Sequence, residues 1–217
     1  GLPERVHNDP RTWLRELRAF VNRRRGDATL LGEVNVGLED LAGFFGRDGD
    51  LLHMQSAFLL NQHLWLALAR QEAEPLESIV RSLPRVPPDC AWATFLRNHD
   101  ELSLDKLTGP QRDEVFAAFA PEESMRLYGH GIRRRVAPML GEDRDRLRMT
   151  WSLLFSLPGT PVLFYGEEIG MGENLDIEGR MSVRTPMQWT DEQNGGFSKA
   201  QPSRLLRPPV EGRFGPL

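Results

Sequence analysis

The stretch Ala91-Trp92-Ala93-Thr94-Phe95-Leu96-Arg97 runs directly into the four polar residues Asn98-His99-Asp100-Glu101. Its first part is a short apolar run without polar alternation, which favours a strand buried on both faces of a parallel sheet. In a barrel of parallel strands, polar residues at the carboxyl ends face the mouth of the active site. A turn rich in Asn and Asp, with an incidental His, is the other interpretation of the same four residues.

Three further apolar runs of strand length lie at residues 29–36, 51–58 and 162–166. Segments with helical periodicity separate them, at residues 59–70, 75–83 and 143–156. The connections exceed the roughly dozen residues that a parallel crossover needs. This order of elements predicts an α/β fold with a parallel sheet.

Other segments have less regular patterns. A first helix is predicted with Asp9 as its cap and Pro10 in its first turn. Residues 101–131 are predicted to form a long polar excursion with helical pieces, and residues 158–161 (PGTP) a tight turn.

Glu33 lies between Gly32 and Val34 in the first predicted strand. One interpretation is a strand-end Glu whose head reaches solvent. The other is a carboxylic acid whose surroundings raise its pKa so that it donates a proton. Because Glu33 and Asp100 both end predicted strands, a parallel sheet would point both carboxylates to one rim. Two carboxylates at one mouth are the minimum for glycoside chemistry.

The composition excludes several classes of protein. The 217 residues include 27 Lys and Arg against 31 Asp and Glu, a formal net charge of −4, so no basic stripe for nucleic acid is expected. A single cysteine, Cys90, excludes an internal disulfide and a Cys-based zinc site. The longest apolar run, residues 65–69, is far shorter than the ~20 residues that span a bilayer. We therefore expect neither nucleic acid nor a membrane as partner.

No dinucleotide, P-loop, zincin or nucleophile-elbow motif occurs in the sequence. No metal ligand is predicted, because the histidines at positions 7, 53, 63 and 130 have no ligand-like spacing. The triplet Arg133-Arg134-Arg135 is expected to form a solvated helix face.

Four stretches together resemble the alpha-amylase superfamily, glycoside hydrolase family 13, and within it the trehalose synthase (maltose glucosyltransferase) branch and the neighbouring alpha-glucosidases. They are residues 30–35 (LLGEVN), 95–101 (FLRNHDE), 158–171 (PGTPVLFYGEEIGM) and 183–189 (VRTPMQW). The last is the most specific for the branch, and the second and third are strong for the superfamily. The resemblance covers nearly the whole chain.

This resemblance implies the C-terminal half of a (β/α)8 TIM barrel, strands 5 to 8, incomplete at both ends. Residues 1–217 would then be a partial catalytic domain, with residues 101–131 and 167–202 as long active-site loops within it.

The resemblance also implies roles for four residues. Glu33 would be the general acid/base, and Asp100 the carboxylate that stabilises the transition state. His99 would hydrogen-bond hydroxyls of the sugar at the cleavage point, and Arg184 would contact substrate.

The activity implied is that of a trehalose synthase interconverting maltose and trehalose, with an alpha-glucosidase or oligosaccharide hydrolase as the alternative. The partner would be a small-molecule alpha-glucoside. No cofactor is expected, although an intact family member would have room for a structural calcium ion whose ligands lie mostly outside this chain. A cytoplasmic location is expected.

The family's nucleophile is an Asp in a Gly-x-Arg-x-Asp-type segment, and no such segment occurs in the sequence. The 217 residues are therefore expected to be an inactive and poorly soluble fragment of a larger enzyme. A non-catalytic relic that binds sugar or a partner is the remaining alternative, and the retained Glu33 and Asp100 argue against it.

Overall fold

The computed structural model describes residues 10–141 and 143–210. The helices are α1 (Pro10–Arg24), α2 (Leu38–Leu41), α3 (Phe58–Arg70), α4 (Glu74–Ser82), α5 (Gly109–Phe119), α6 (Val136–Met139) and α7 (Arg144–Ser156). The strands are β1 (Leu31–Gly32), β2 (Met54–Ser56), β3 (Ala91–Thr94), β4 (Leu102–Ser103), β5 (Arg126–Leu127), β6 (Gly131–Ile132) and β7 (Thr160–Pro161). Short 3-10 helices include Glu167–Ile169 and Gly179–Val183.

The main sheet has four strands in the order β1-β2-β3-β7, and every pair is parallel. Helices cross between successive strands, so the predicted α/β fold with a parallel sheet is confirmed. The first three strands lie within the predicted runs. Since all four strands run the same way, their carboxyl ends share one edge.

The fourth strand differs from its prediction. It covers Thr160–Pro161, where a turn was expected, and residues 162–166 continue beyond it without a strand assignment. The reason is Gly159, which has φ of +131° and would bring a Cβ within 2.6 Å of the Trp92 carbonyl. This glycine lets the chain approach β3 closely and pair with it two residues earlier than the apolar run indicates.

Burial on both faces holds for the central strands but not for the outer ones. Gln55, Trp92 and Ala93 are buried, whereas Leu31 and Val162 are exposed. The outer strands β1 and β7 each have one neighbour in the part of the chain described, so their apolar side chains have no covering layer there.

Helix α3 fixes the chain that leads from β3 to the polar turn. Asn61 donates through Nδ2 to the carbonyls of Phe95 at 2.6 Å and Leu96 at 3.0 Å. The fully buried Trp65 donates through Nε1 to the same Leu96 carbonyl at 3.1 Å. These carbonyls lie beyond the sheet ladder, and a buried helix face satisfies them. The start of the polar turn is thus anchored to the core.

The predicted polar excursion contains the helix α5, as expected, and an antiparallel sheet β4-β6-β5 that was not predicted. Strands of two residues leave no period in the sequence, because alternation needs about four residues to show. Helix α1 is confirmed over Pro10–Arg24, and its expected cap Asp9 lies outside the described residues. Helix α7 is capped by Asp143, which accepts from the main-chain N–H of Asp145 and Arg146 at 3.0 Å.

Within residues 10–141 and 143–210, no helix has both the length and the apolar character that crossing a bilayer demands.

Candidate active site

The polar turn after β3 places His99 and Asp100 at the carboxyl edge of the sheet. The main-chain N–H of Asp100 donates to Oδ1 of Asn98 at 3.0 Å, which closes an Asx turn. The turn interpretation of these residues is therefore correct in local geometry. This geometry does not exclude an active-site role for the same residues, because side chains from three segments of the chain meet at the turn.

Glu33 and Asp100 lie on either side of His99. Nδ1 of His99 is 4.0 Å from Oε1 of Glu33, and its Nε2 is 3.8 Å from Oδ1 of Asp100. The side chains of Glu33 and His99 are 54% and 49% exposed, and that of Asp100 is 25% exposed. The head of Glu33 does reach solvent, just beyond the end of β1. We call Glu33, His99, Asp100 and Arg184 the carboxylate rim.

Arg184 joins this rim from the loop after β7. Its guanidinium donates to the carboxylate of Asp100 and, through Nε, to the main-chain carbonyl of His99 at 2.6 Å. The structure thus brings together all four residues singled out in the sequence, although they lie up to about 150 positions apart in the chain. The guanidinium of Arg184 compensates the charge of Asp100 and restrains the orientation of its carboxylate.

Arg180 is a member of this neighbourhood that sequence reasoning missed. Its Nη1 lies 3.2 Å from Oδ2 of Asp100, and its Nε lies 2.7 Å from Oε2 of Glu101. The guanidinium also lies over the ring of Tyr128, 5.6 Å from the centroid. Arg180 belongs to an irregular, non-periodic segment, so only its nearness to Arg184 in the sequence was available as a signal.

A cleft of about 280 Å³ opens beside the rim, and Glu33 and His99 are among its lining residues, together with apolar side chains of Leu31, Phe95 and Phe164. Polar groups beside an apolar wall suit a small amphipathic ligand. A larger cavity of about 680 Å³ is lined by four arginines and no residue of the rim. Among the described residues, no cluster of three or more His, Cys, Asp or Glu side chains is placed to hold a metal ion.

Beneath the rim lies a second group of charged side chains, Arg97, Arg135, Glu167 and Glu173, which we call the buried charge cluster. Nη1 of Arg135 is 3.3 Å from Oε1 of Glu167, and both side chains are essentially inaccessible to solvent. Glu173 accepts from Nε of Arg134 and from the main-chain N–H of Arg135, both at 2.9 Å. Two cations and two anions are thus held together out of water.

The expected solvated face of Arg133-Arg134-Arg135 is therefore wrong. Arg133 and Arg135 are buried, and they lie in the segment between β6 and α6 rather than on an exposed helix. Arg133 donates to the carbonyl of Leu175, and Arg135 donates to that of Val183 at 2.9 Å. Carbonyls and carboxylates from distant segments pair with these guanidinium groups, and no local sequence pattern reveals such partners.

Burial changes the protonation behaviour of this cluster. It lowers the pKa of Arg97 to about 10, against the attraction of Glu167. It lowers the pKa of Arg135 as well. Burial also raises the pKa of Glu167 to about 7, although Arg135 and Arg97 oppose this shift. Arg97 therefore keeps its charge at neutral pH, while Glu167 is poised near its titration point.

The fold and the rim together define a class, a parallel α/β protein with two carboxylates, a histidine and arginines at the carboxyl edge of its sheet. A family model described as alpha amylase, catalytic domain, matches residues 122–208. With the relatives reported next, this match identifies the family. The chain belongs to the alpha-amylase family, glycoside hydrolase family 13.

The chain is 42% identical over 200 residues to the trehalose synthase/amylase of Mycolicibacterium smegmatis, covering 91% of this chain and 34% of that protein. It is 42% identical over 216 residues to the trehalose synthase of Thermus thermophilus, covering 99% of this chain and 22% of that protein. Among solved structures, the alpha-amylase from H. orenii matches with a TM-score of 0.60 at 22% identity, over 93% of this chain and 34% of that one. The chain thus spans about a third or less of the length of these relatives.

Proposed function

We propose that the protein carrying this chain is an alpha-glucoside-active enzyme of the trehalose synthase type, which interconverts maltose and trehalose. The observation that carries the proposal is the 42% identity, over 91% and 99% of the chain, to two proteins named trehalose synthase. The convergence of Glu33 and Asp100 on one histidine supports it, because glycoside chemistry needs paired carboxylates at one mouth. The partner is a small-molecule alpha-glucoside.

Within that enzyme, we propose that the chain is the C-terminal half of the (β/α)8 barrel, strands 5 to 8. The strands β1, β2, β3 and β7 then take those four places. Three features support this assignment: the all-parallel order of the sheet, the exposed apolar side chains of Leu31 and Val162 at its two outer edges, and the fraction of the relatives that the chain covers.

We assign Glu33 as the general acid/base, because its half-exposed carboxylate lines the cleft where a glycosidic oxygen would enter. Asp100 stabilises positive charge on the sugar ring in the transition state. Arg180 and Arg184 pair with its carboxylate and hold it in place for this role. His99 lies between the two carboxylates, within reach of sugar hydroxyls. Arg184 orients Asp100 and contacts the sugar.

The reaction retains the anomeric configuration and needs a carboxylate nucleophile about 5–5.5 Å from the acid. The Gly-x-Arg-x-Asp segment that supplies it in the family is not among these 217 residues. Glu33 protonates the leaving oxygen while the nucleophile forms the glucosyl ester, and Glu33 then deprotonates the acceptor. If the released glucose stays and attacks through its anomeric hydroxyl, trehalose forms.

Exclusion of water decides between isomerisation and hydrolysis. Residues 101–131 and 167–202 are proposed as the lid, because loops at this edge of the fold set specificity. The second segment already reaches the rim through Arg180 and Arg184. Hydrolysis of alpha-glucosides is a second candidate, favoured by the name trehalose synthase/amylase of the Mycolicibacterium relative.

The test is to incubate the full-length protein that carries this sequence with maltose and to separate the products by chromatography. Trehalose supports the proposal, glucose alone makes the protein a hydrolase, and absence of both overturns an alpha-glucoside activity. The 217-residue polypeptide, assayed in parallel, is expected to form neither product because it has no nucleophile segment.

A further inference from the structure

The main chain of Asp100 is held on both sides of its side chain. Its N–H donates to Asn98, and its carbonyl accepts from Nη2 of Arg97 at 2.6 Å. Arg97 also donates through Nε to the carbonyl of Arg134 at 2.7 Å. Its side chain is 2% exposed, so this guanidinium bridges the polar turn to the segment before α6 from inside the protein.

The other side of the rim is held in a similar way. Arg135 donates to the carbonyl of Val183, the residue before Arg184, and through Nη1 to the carbonyl of Tyr165 at 2.8 Å. The hydroxyl of Tyr165 donates to the carbonyl of Thr185, the residue after Arg184, at 2.5 Å. The main chain on both sides of Arg184 is thus tied to the same buried layer that holds Asp100.

We infer that Arg97 is a positioning residue for Asp100, and that it sets the direction of this carboxylate toward the sugar. The inference rests on the proposed function. A guanidinium can hold two carbonyls in one rigid fork, whereas a lysine ammonium is a single point donor on a flexible stem. Active-site groups lose effect when their supports let them move by more than about 0.5 Å.

A purely stabilising role is the competing explanation, because a fully buried cation also affects folding. The two roles differ in what they do to binding. The carboxylate of Asp100 gains interaction as positive charge develops on the sugar, so misplacing it weakens transition-state binding more than substrate binding. Loss of folded protein lowers the apparent kcat, but it changes neither KM nor the inhibition constant, because both are independent of the fraction of enzyme that is active.

The experiment compares wild type, Arg97→Lys and the control Arg18→Lys in the full-length protein. Arg18 also donates from a partly buried guanidinium to a main-chain carbonyl, that of Leu51 at 3.2 Å, but it lies on α1, outside the carboxylate rim and the proposed lid. Two quantities are measured: KM for maltose, and the inhibition constant of deoxynojirimycin, a glucose-shaped cation. The kcat for maltose is measured with them.

For Arg97→Lys we expect the inhibitor to bind about tenfold or more weakly and kcat to fall by a similar factor, with KM within about threefold of wild type. Arg18→Lys should leave all three within about twofold, because Arg18 belongs to neither the rim nor the proposed lid. Unchanged inhibitor binding and kcat in Arg97→Lys, beside an active wild type, overturn this inference alone. A wild type inactive on maltose and trehalose overturns the proposed function and the inference together.

If Arg97→Lys yields no folded protein, Arg97→Gln is measured by the same criterion. Its neutral amide still reaches one carbonyl but cannot bridge two, so the same selective loss of inhibitor binding is expected. Parallel loss of inhibitor binding and maltose binding in this variant contradicts a positioning role.

Discussion

The carboxylate rim and the buried charge cluster use the same residue types in different surroundings. Glu33 is 54% exposed, whereas Glu167 is buried against Arg135. The guanidinium of Arg184 meets a partly exposed carboxylate, whereas that of Arg97 meets two main-chain carbonyls in the interior. Neither residue type nor charge separates the two regions. Only access to solvent does.

This difference indicates that the carboxylate rim and the buried charge cluster have different roles. A carboxylate that exchanges protons with a substrate must be accessible to that substrate, and its surroundings must allow it both to lose and to gain a proton. A buried pair is costly to desolvate and costly to break, so it suits holding a geometry rather than changing one. Substitutions at the rim should therefore affect activity, and those in the cluster should affect stability or placement.

The largest effect is expected for Glu33→Gln in the full-length protein. Loss of the proton donor should lower kcat/KM for maltose by about a thousandfold. The thermal midpoint should hardly change, because the side chain is half exposed. Steady-state kinetics and a thermal melt measure both, with the exposed Glu72→Gln as the matched control. A decrease of less than about tenfold would argue against an acid/base role.

The next effect is expected for Asp100→Asn, which keeps the size of the side chain and removes its charge. Transition-state charge stabilisation should fall, lowering kcat by about a hundredfold. The readout is kcat under saturating maltose, with the exposed Asp89→Asn as control. Retention of wild-type kcat would mean that Asp100 only anchors the two arginines.

A substitution of Glu167 in the buried charge cluster should change the pH dependence of stability. The pKa of Glu167 is raised from its ordinary 4.5 to about 7 in the folded protein, chiefly by burial. The unfolded chain releases this proton near pH 4.5 and the folded protein near pH 7. The stability that the group contributes is thus present below pH 4.5 and is lost as the pH rises to 7.

Denaturant unfolding of wild type and Glu167→Gln between pH 4 and pH 8 measures this contribution. The wild-type free energy of unfolding, relative to that of the variant, should fall by about 2–3 kcal/mol over the range. Subtracting the variant removes the effect of all other titrating groups. A relative stability that rises with pH would show that the attraction of Arg135 outweighs burial.

The smallest effect is expected for Arg180→Gln. Its side chain is 38% exposed and shares Asp100 with Arg184, so solvent screening leaves a decrease of about three- to tenfold in kcat/KM. Arg148→Gln, which removes an exposed ion pair with Asp145, should have no kinetic effect. Equal effects of the two changes would show that Arg180 does not support the carboxylate of Asp100.

Much of the fold could be predicted because it rests on local signals. The apolar runs at residues 51–58 and 91–97 contain β2 and β3, and the periodic segment at 143–156 contains α7. The antiparallel sheet β4-β6-β5 could not be predicted, since its strands are too short for a period. The predicted position of β7 was wrong because Gly159 lets the chain pass close to β3. The sequence alone does not show that β3 is the neighbouring strand.

The candidate site was predictable in its members but not in its supports. Glu33, His99 and Asp100 stand out because polar residues at the ends of apolar runs are unusual. Arg180 and Arg135 carry no such signal, since their partners come from segments about 30 to 80 positions away.

The sequence by itself determined the parallel α/β order, the strand ends that carry polar residues, and the family, because each of these is written in short contiguous stretches. The tertiary structure alone decided which charges are exposed and which are buried. Burial depends on what the rest of the chain places around a side chain, and the solvation of a charge sets both its pKa and its use. For that reason the sequence predicted a solvated surface for the three adjacent arginines at positions 133–135, whereas in the structure they support the carboxylate rim from beneath.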